Sequence, residues 1–573
     1  MKRSILVTAL ALVLALGTLI GVNSTAAATV LPVEIETVSS TGDPAAARGL
    51  TLDYRLSLRN DLRWCSKYDC ATGENETDFY LTYRQEDLPA YLQNWSADQR
   101  TWQIVSTPGD WYAKNDPIVD AMLAKAKRAA GENYNGRYWV EDRVYLGDYY
   151  DYYPLRLSAW GYYASSDPYY ARYYYKGNGA ISTNNEGDYV DLPFDKLRIP
   201  TTPNDFFELG YEFQLDGHRN NSRGSSNSVS NCFVENQFVP YSVRNGDSLL
   251  VTVGFPAGVQ PQAEWAPEGF GIWSMPVRRQ ELSYENPSLR SIQDDFPVTE
   301  ECRLVYPLDI ETQRVMLLRQ SKDGAYLLLV TVENDRYVLR VLDSEDYTLV
   351  GESDLDEATI HEEQYSTLPS DVTGLGAYRE NEASAQCRYV HGDETKSGVD
   401  ELWLTGLYYP GVTMRQGENF IAVMMDDRLA VLTPSEKGYD LQFICDTAWH
   451  GTLMWTTDGE TWNYGKKYDW IIGGVVENTP EDAYGWDWTD ACDTVGEDFA
   501  MAYNGTYLAS AVYANDDVVL SIYGPDGLAY GVRLRNSVLN QDGGGSISSR
   551  PVCQDVLETS DDYYDPKPGL SWE

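Results

Sequence analysis

The sequence predicts a mainly β protein, with a β-propeller-like C-terminal domain of about six or seven blades and an N-terminal β-rich domain containing one helix. Three observations lead there: an unambiguous β-hairpin at Gly324 to Asp343, its recurrence along the chain, and a single segment of helical periodicity.

In the hairpin, Tyr326 to Val332 is apolar at almost every position, as expected of a strand buried on both faces. Glu333, Asn334 and Asp335 form the turn, with residue types that tolerate left-handed backbone. Arg336, Val338 and Arg340 then alternate with Tyr337, Leu339 and Val341, which places the second strand nearer an edge. Gly417 to Leu432 and Gly505 to Tyr523 repeat the pattern, with turns at Asp426-Asp427 and Asn515-Asp516-Asp517; Gly246 to Gly254 opens in the same way. The glycines are 78, 93 and 88 residues apart. One blade takes roughly 40 to 50 residues, so these spacings suggest poorly marked alternate blades between the visible ones.

At the start of the chain, Lys2 and Arg3 precede an apolar run from Ile5 to Val22 and the small-residue site Ala26-Ala27-Ala28. That three-part plan is an export signal cleaved after Ala28. The run is also long enough to span a bilayer, so an uncleaved N-terminal anchor is the alternative. Either way the expected location is extracytoplasmic, secreted or attached to the cell envelope.

The rest reads as an N-terminal β-rich, Tyr-rich domain (29–216), a linker or long loop (217–231), the propeller-like domain (232–557) and an acidic tail (558–573) expected to be poorly ordered. Strands are expected at Leu50 to Leu58, Asp78 to Arg84 and Asp205 to Leu215. The helix starts at Asp116-Pro117, an N-cap followed by an N1 proline. Ile118, Val119, Met122, Leu123, Ala126 and Ala129 then recur at helical spacing up to Gly131, an apolar face suited to packing on a sheet.

With 87 acidic and 44 basic residues the net charge is −43. Such a surface repels phosphate backbones and anionic membranes, so no nucleic acid and no membrane beyond the N-terminal anchor are expected as partners. An extracellular protein or glycan is the expected partner class; the sequence leaves the oligomeric state open.

From Tyr134 to Tyr175 there are 14 Tyr and two Trp. Tyr149, Tyr150, Tyr152, Tyr153, Tyr173 and Tyr174 are the candidate ligand-binding residues, because tyrosine brings a large rigid face and a polar tip. The competing reading places these rings on the two faces of a sheet, filling a core.

Eight Cys, at 65, 70, 232, 302, 387, 445, 492 and 553, allow 105 complete pairings. Only Cys65 with Cys70 is local enough to name as a candidate disulfide, and Cys445 in Phe443-Ile444-Cys445 reads equally as a small buried apolar residue. The four His lack ligand-spaced partners, and Asp487, Asp490 and Asp493 lack the alternation and glycine of a calcium loop, so no metal and no cofactor are expected. No nucleophile elbow, phosphate loop or dinucleotide fingerprint occurs, and catalytic residues remain unassigned.

Thr456-Thr457-Asp458-Gly459-Glu460-Thr461-Trp462 resembles the Asp-box of sialidase-type propellers, Ser/Thr-x-Asp-x-Gly-x-Thr-Trp, with one residue fewer between Asp458 and Gly459. The resemblance covers these seven residues. It implies a β-hairpin turn away from any active site, and the sialidase arginine cluster and tyrosine nucleophile have no counterpart positions here. The sequence thus points to a non-catalytic binding or scaffold protein, with a glycan-active hydrolase on a propeller-type fold as the alternative.

Overall fold

Tyr326–Glu333 and Arg336–Asp343 pair as the middle strands of a four-stranded antiparallel sheet, with Tyr326 opposite Asp343 and Glu333 opposite Arg336. Asn334 and Asp335 hold φ values of 51° and 57°. Two successive left-handed residues make the tight turn that preserves the right-handed twist of the strands. Arg314–Gln320 and Leu349–Glu357 flank the pair.

The computed structural model describes residues 35–58, 62–80, 101–106, 117–130, 136–160, 191–216, 219–282, 292–367, 387–391, 402–409, 411–425, 428–446, 452–457, 462–464, 484–487, 500–514, 517–536 and 569–572. Residues 1–28, expected to be an export signal, lie outside them.

Six antiparallel sheets follow one another as blades. Blade 1 joins Gly569–Trp572, Leu50–Leu58, Leu62–Asp69 and Asn75–Tyr80; blade 2 joins Thr101–Val105, Arg156–Trp160 and Asp191–Pro193. Blade 3 contains Val239–Asn245, Ser248–Gly254 and Phe270–Leu282, the last pairing with both Ile292–Pro297 and Arg303–Leu308. Blade 4 is the Gly324 sheet. Blade 5 runs Val412–Gln416, Ile421–Met425, Arg428–Ser435 and Gly438–Asp446. Blade 6 runs Ala500–Tyr503, Leu508–Ala514, Asp517–Gly524 and Gly527–Asn536, and takes Ile35–Gly42 as a fifth strand.

The blades pack face to face through apolar layers, which is why their strands are buried on both sides. One core gathers blades 2, 3 and part of 4, including Trp102, Leu250, Trp273 and Leu329. Leu328, Leu339, Val423 and Leu432 join blade 4 to blade 5; Phe420, Phe443, Tyr503 and Leu508 join blade 5 to blade 6; Leu520 and Ile522 join blade 6 to Leu50 and Leu52 of blade 1. The chain is thus mainly β and propeller-like. Blade 1 is completed by the C-terminal strand, with Thr51 opposite Ser571, and blade 6 by the N-terminal strand, with Thr41 opposite Gly531.

Several expectations need correction. Strand pairing crosses the boundary drawn at 217–231: residues 50–193 supply two blades, and Ile35–Gly42 pairs with the far end of the chain. Arg219–Phe233, read as a linker or long loop, is a strand paired to Phe206–Asp216 with three register shifts. Its polar side chains concealed it, because the ladder uses backbone groups that every residue carries. Within the tail expected to be poorly ordered, Gly569–Trp572 is a strand, and the Trp572 indole donates to Arg48 O at 3.2 Å.

Among the described residues no alternate blades stand between the marked ones, since shared cores join blades 4, 5 and 6 directly. The wide spacing comes from insertions. His361–Thr367 pairs with Leu402–Tyr408 between blades 4 and 5, and a sheet of Trp462–Tyr464, Thr452–Thr457 and Tyr484–Asp487 lies between blades 5 and 6. That sheet contains the Asp-box-like hairpin, with Thr457 opposite Trp462. A further insertion pairs Gly136–Tyr145 with Phe206–Asp216, and the short Cys387–His391 strand runs parallel to it. Helix α1, Pro117–Ala130, buries Ile118, Met122 and Ala126 in the same core as Tyr138, Val140 and Tyr211 of this sheet, as its apolar face predicted. The Arg336–Asp343 strand, expected near an edge, is third of four and buried along its length.

Candidate binding face

The two ends of the blades differ. At one end of blades 4 to 6 the connections are short turns, at 321–325, 344–348, 417–420, 436–437, 504–507 and 525–526. At the other end, beside the two-residue turn at 334–335, leave the blade 3 connection 255–269 and the stretches 358–411 and 447–499. Long connections on a rigid scaffold are where propellers and similar folds place recognition.

This long-loop face is held by specific bonds. Gly258 N donates to Leu407 O at 2.8 Å, fixing the inserted hairpin of 358–411 onto the 255–269 loop. Ala358 N donates to Asp335 O at 2.8 Å, and the Tyr409 hydroxyl donates to Asp335 Oδ1 at 3.3 Å. The turn of the Gly324 hairpin is therefore an anchor for the insertion that follows its own blade. Burial, reinforced by the Asp335 charge, pushes the Tyr409 phenol above its usual pKa. Arg314, first residue of the innermost strand of blade 4, lies beneath. It is 8% exposed and donates from Nη1 to Ile310 O at 2.7 Å and from Nη2 to Val259 O at 3.4 Å.

Beside it, Gln313 Nε2 donates to Glu333 Oε2 at 2.8 Å, and the other Glu333 oxygen receives Arg340. Arg340, 6% exposed, also pairs through Nε with Glu352 at 3.1 Å and donates to Thr331 Oγ1 at 2.6 Å. A buried guanidinium is tolerable when its donors and charge are matched in this way. Arg428 of blade 5 bridges back to Asp356 of blade 4 at 2.6 Å. The Arg340 charges tie neighbouring strands of blade 4, and the Arg428–Asp356 pair ties blade 5 to blade 4.

The tyrosine candidates are divided by the structure. Tyr149 and Tyr150 are half-buried against the core, and Tyr152 is 50% exposed. Tyr153 is a correction. It is 3% exposed and its hydroxyl donates to Asp205, so the ring is core and its polar tip already has a partner. Asp205, fully buried, accepts Glu235 N at 2.8 Å and Thr202 N at 2.5 Å as well. Tyr173 and Tyr174 lie outside the described residues.

The candidate Cys65–Cys70 disulfide is not formed. Cys70 is a free thiol in the core joining blades 6 and 1, and burial pushes its pKa up to about 12. Cys445 is likewise free and buried, in the blade 5–6 core, as its apolar neighbours suggested. Among the described residues no group of three or more His, Cys, Asp and Glu gathers to hold a metal ion, and no helix is long and apolar enough to cross a membrane. Asp490 and Asp493 lie outside the described residues.

Sequence reasoning missed Arg314, Asp335 and Tyr409 as one group. Asp335 was visible only as a turn residue. The available signal for Arg314 was an arginine opening the apolar run Val315 to Leu318, a charge at the mouth of a buried strand.

No protein-family model matches the chain, and no curated protein matches it. Among solved structures it is similar to a candidate 6-phosphogluconolactonase from Bacteroides uniformis, at 9% identity over 85% of this chain and 99% of that one, with a TM-score of 0.22. It is also similar to the β-propeller domain of Cps50 (Swd1) from Myceliophthora thermophila, at 8% identity over 58% and 92%, with a TM-score of 0.14. TolB from Acinetobacter baumannii matches at 10% identity over 91% and 82%, with a TM-score of 0.16. Scores this low carry no argument about site or activity, so the propeller-like assignment stands on this chain's own strand pairing.

Proposed function

We propose that the protein is an exported binding protein of the cell envelope or its surroundings, which recognises an extracellular glycan or protein through the long-loop face. The observation that carries this reading is the asymmetry of the blades: short turns at one end and, at the other, insertions tied down by Gly258, Asp335 and Tyr409. A scaffold that fixes its loops with specific hydrogen bonds presents a preorganised surface, which lowers the ordering cost of binding. The N-terminal export signal and the acidic exterior agree with a solvated extracytoplasmic life.

The test uses the purified exported chain on arrays of envelope glycans and in envelope extracts. Replacing 359–410 by a short linker is expected to abolish binding while the circular dichroism spectrum is retained. Binding unchanged by that replacement contradicts the reading. Release of new reducing ends from a bound glycan moves the assignment to the alternative, a glycan-active hydrolase, whose paired carboxylates stand about 5 to 10 Å apart.

A further inference from the structure

The sheet of Gly136–Tyr145, Phe206–Asp216, Arg219–Phe233 and Cys387–His391 has two unlike faces. Side chains alternate between them along Gly136–Tyr145. Tyr138, Val140 and Val144 are buried in the core that also takes helix α1, and Asp142 on the same side pairs with Lys125 of that helix. Trp139, Glu141, Arg143 and Tyr145 belong to the opposite face, and all four are partly exposed. Neither Trp139 nor Tyr145 joins an apolar core among the described residues. The Trp139 indole is held by its edge, with Nε1 donating to Glu141 Oε1 at 2.6 Å. Among the described residues no ring and no cation stacks on that indole, whereas the Phe206 ring already carries Arg143 at 4.5 Å and Tyr145 at 6.3 Å.

Across the ladder Glu212 stands opposite Trp139, Gly210 opposite Glu141 and Glu208 opposite Arg143. Arg143 donates from Nε to Glu208 Oε1 at 3.1 Å, so its charge is matched within the sheet. Gly210 brings no side chain beside Glu141. Glu141 has one oxygen on the indole, and no cation lies within ion-pair distance of it among the described residues. Next comes Arg219–Phe233, the tract of Ser and Asn read from sequence as a linker, whose register sets Ser226 opposite Glu212, Ser228 opposite Gly210 and Asn231 opposite Glu208. Polar residue types thus continue the row across the sheet. On the other side Cys387–His391, from the 358–411 connection of the long-loop face, pairs with Tyr389 in register with Trp139. A pyranose has an apolar C–H face, which stacks on an indole, and a rim of hydroxyls, which donate to carboxylates. An acidic sugar would meet Glu141 and Glu212 as like charges.

We propose that Trp139, Glu141 and Glu212 form a subsite for a neutral glycan chain, the indole stacking on a pyranose ring and the two carboxylates accepting its hydroxyls. The subsite rests on the binding reading above and gives it a ligand class and a place.

The experiment is calorimetric titration of the full exported chain with the neutral trisaccharides cellotriose, xylotriose and triacetylchitotriose, with trigalacturonate as the acidic probe and trilysine as the peptide probe. At least one neutral trisaccharide is expected to bind, and trigalacturonate to bind at least about tenfold more weakly. Trp139→Ala is expected to weaken the bound trisaccharide by about tenfold or more, and Glu141→Gln, which keeps an acceptor for the indole, by about fivefold. If Trp139→Ala fails to fold by circular dichroism, Glu141→Gln decides alone. Absence of binding by every neutral trisaccharide, or unchanged affinity in the folded variants, overturns the subsite. Trigalacturonate binding as tightly as the neutral sugars overturns the neutral assignment, and trilysine binding as tightly overturns the sugar assignment. A chain that loses glycan binding when 359–410 is replaced, yet keeps it in Trp139→Ala and Glu141→Gln, refutes this subsite alone; a chain that binds neither the trisaccharides nor any envelope component refutes the broader reading as well.

Discussion

Gln416 Nε2 donates to Gln320 O at 2.7 Å, and the two residues occupy the same place, the last position of the innermost strand, in consecutive blades. Gln320 in turn donates from Nε2 to Asn245 Oδ1 at 3.0 Å, and Asn245 ends the innermost strand of blade 3. Asn245 continues outward, donating to Ser344 O at 2.6 Å. Three blades are thus linked at the short-turn end by amides at equivalent positions.

Gln320→Ala is expected to destabilise more than Gln416→Ala, because the Gln320 side chain donates to both Asn245 Oδ1 and Gly324 O, whereas the Gln416 side chain donates to Gln320 O. The expected losses are about 1 to 3 kcal/mol for Gln320 and about 1 kcal/mol for Gln416. The double variant should lose about the sum of the two, since the Gln416 bond goes to the Gln320 main-chain carbonyl, which alanine keeps. Urea unfolding of the four chains checks this; a Gln320→Ala loss no larger than that of Gln416→Ala contradicts the relay.

Arg340→Met removes the cationic partner of Glu333, whose side chain is 18% exposed, while filling the space. Leaving one member of a buried ion pair uncompensated costs about 3 to 5 kcal/mol. Arg340→Met together with Glu333→Leu should recover a large part of that loss. If the double variant is as unstable as the single one, the strut between strands is misassigned.

Tyr153→Phe leaves the Asp205 carboxylate short of one donor in a buried site, with an expected cost of about 1 to 3 kcal/mol. Tyr152→Ser, at an exposed position, should leave the melting temperature unchanged within error. Any loss of ligand binding on mutating this pair should therefore trace to Tyr152. The reverse pattern in a thermal melt would return Tyr153 to the surface.

Cys70, Cys302 and Cys445 all have pKa values pushed up to about 12, chiefly by burial. In the native protein at pH 8 they should resist alkylation for hours and react at once in denaturant, read by peptide mass spectrometry. The folded pKa lies above that of a thiol in the unfolded chain, about 8.5. Their contribution to stability is therefore complete below that value and is lost as the pH rises towards 12. Rapid labelling of native Cys70 or Cys445 contradicts their burial.

The hairpins were legible because two signals coincided there: glycine and Asn/Asp turns, and unbroken apolar runs. Leu50–Leu58 and helix α1 were legible for the same reason, a clear period with a clear stop. What escaped reading was long-range. The Ile35–Gly42 strand, Ile-Glu-Thr-Val-Ser-Ser-Thr-Gly, gains its place by pairing with Gly527–Asn536, which no local pattern announces. Arg219–Phe233 escaped because Asn, Ser and Gly conceal a backbone ladder. Blade packing also misled the alternation rule: Arg340 sits on a face that looked solvent-exposed, and two carboxylates on neighbouring strands let it be buried. The group around Arg314 was invisible because its members lie at a strand start, in a hairpin turn and at the end of an insertion, brought together only by the fold.

The central claim is that both ends of the chain belong to one series of packed blades, with Gly569–Trp572 completing the blade begun at Leu50. The most direct measurement compares thermal melts of the full chain and a chain ending at Pro568. The truncated chain is expected to melt at lower temperature, with faster amide hydrogen exchange in Leu50–Asp53, the residues that lose their partner strand. An unchanged melt with unchanged protection of Leu50–Asp53 would contradict the completion of blade 1 by the C-terminal strand.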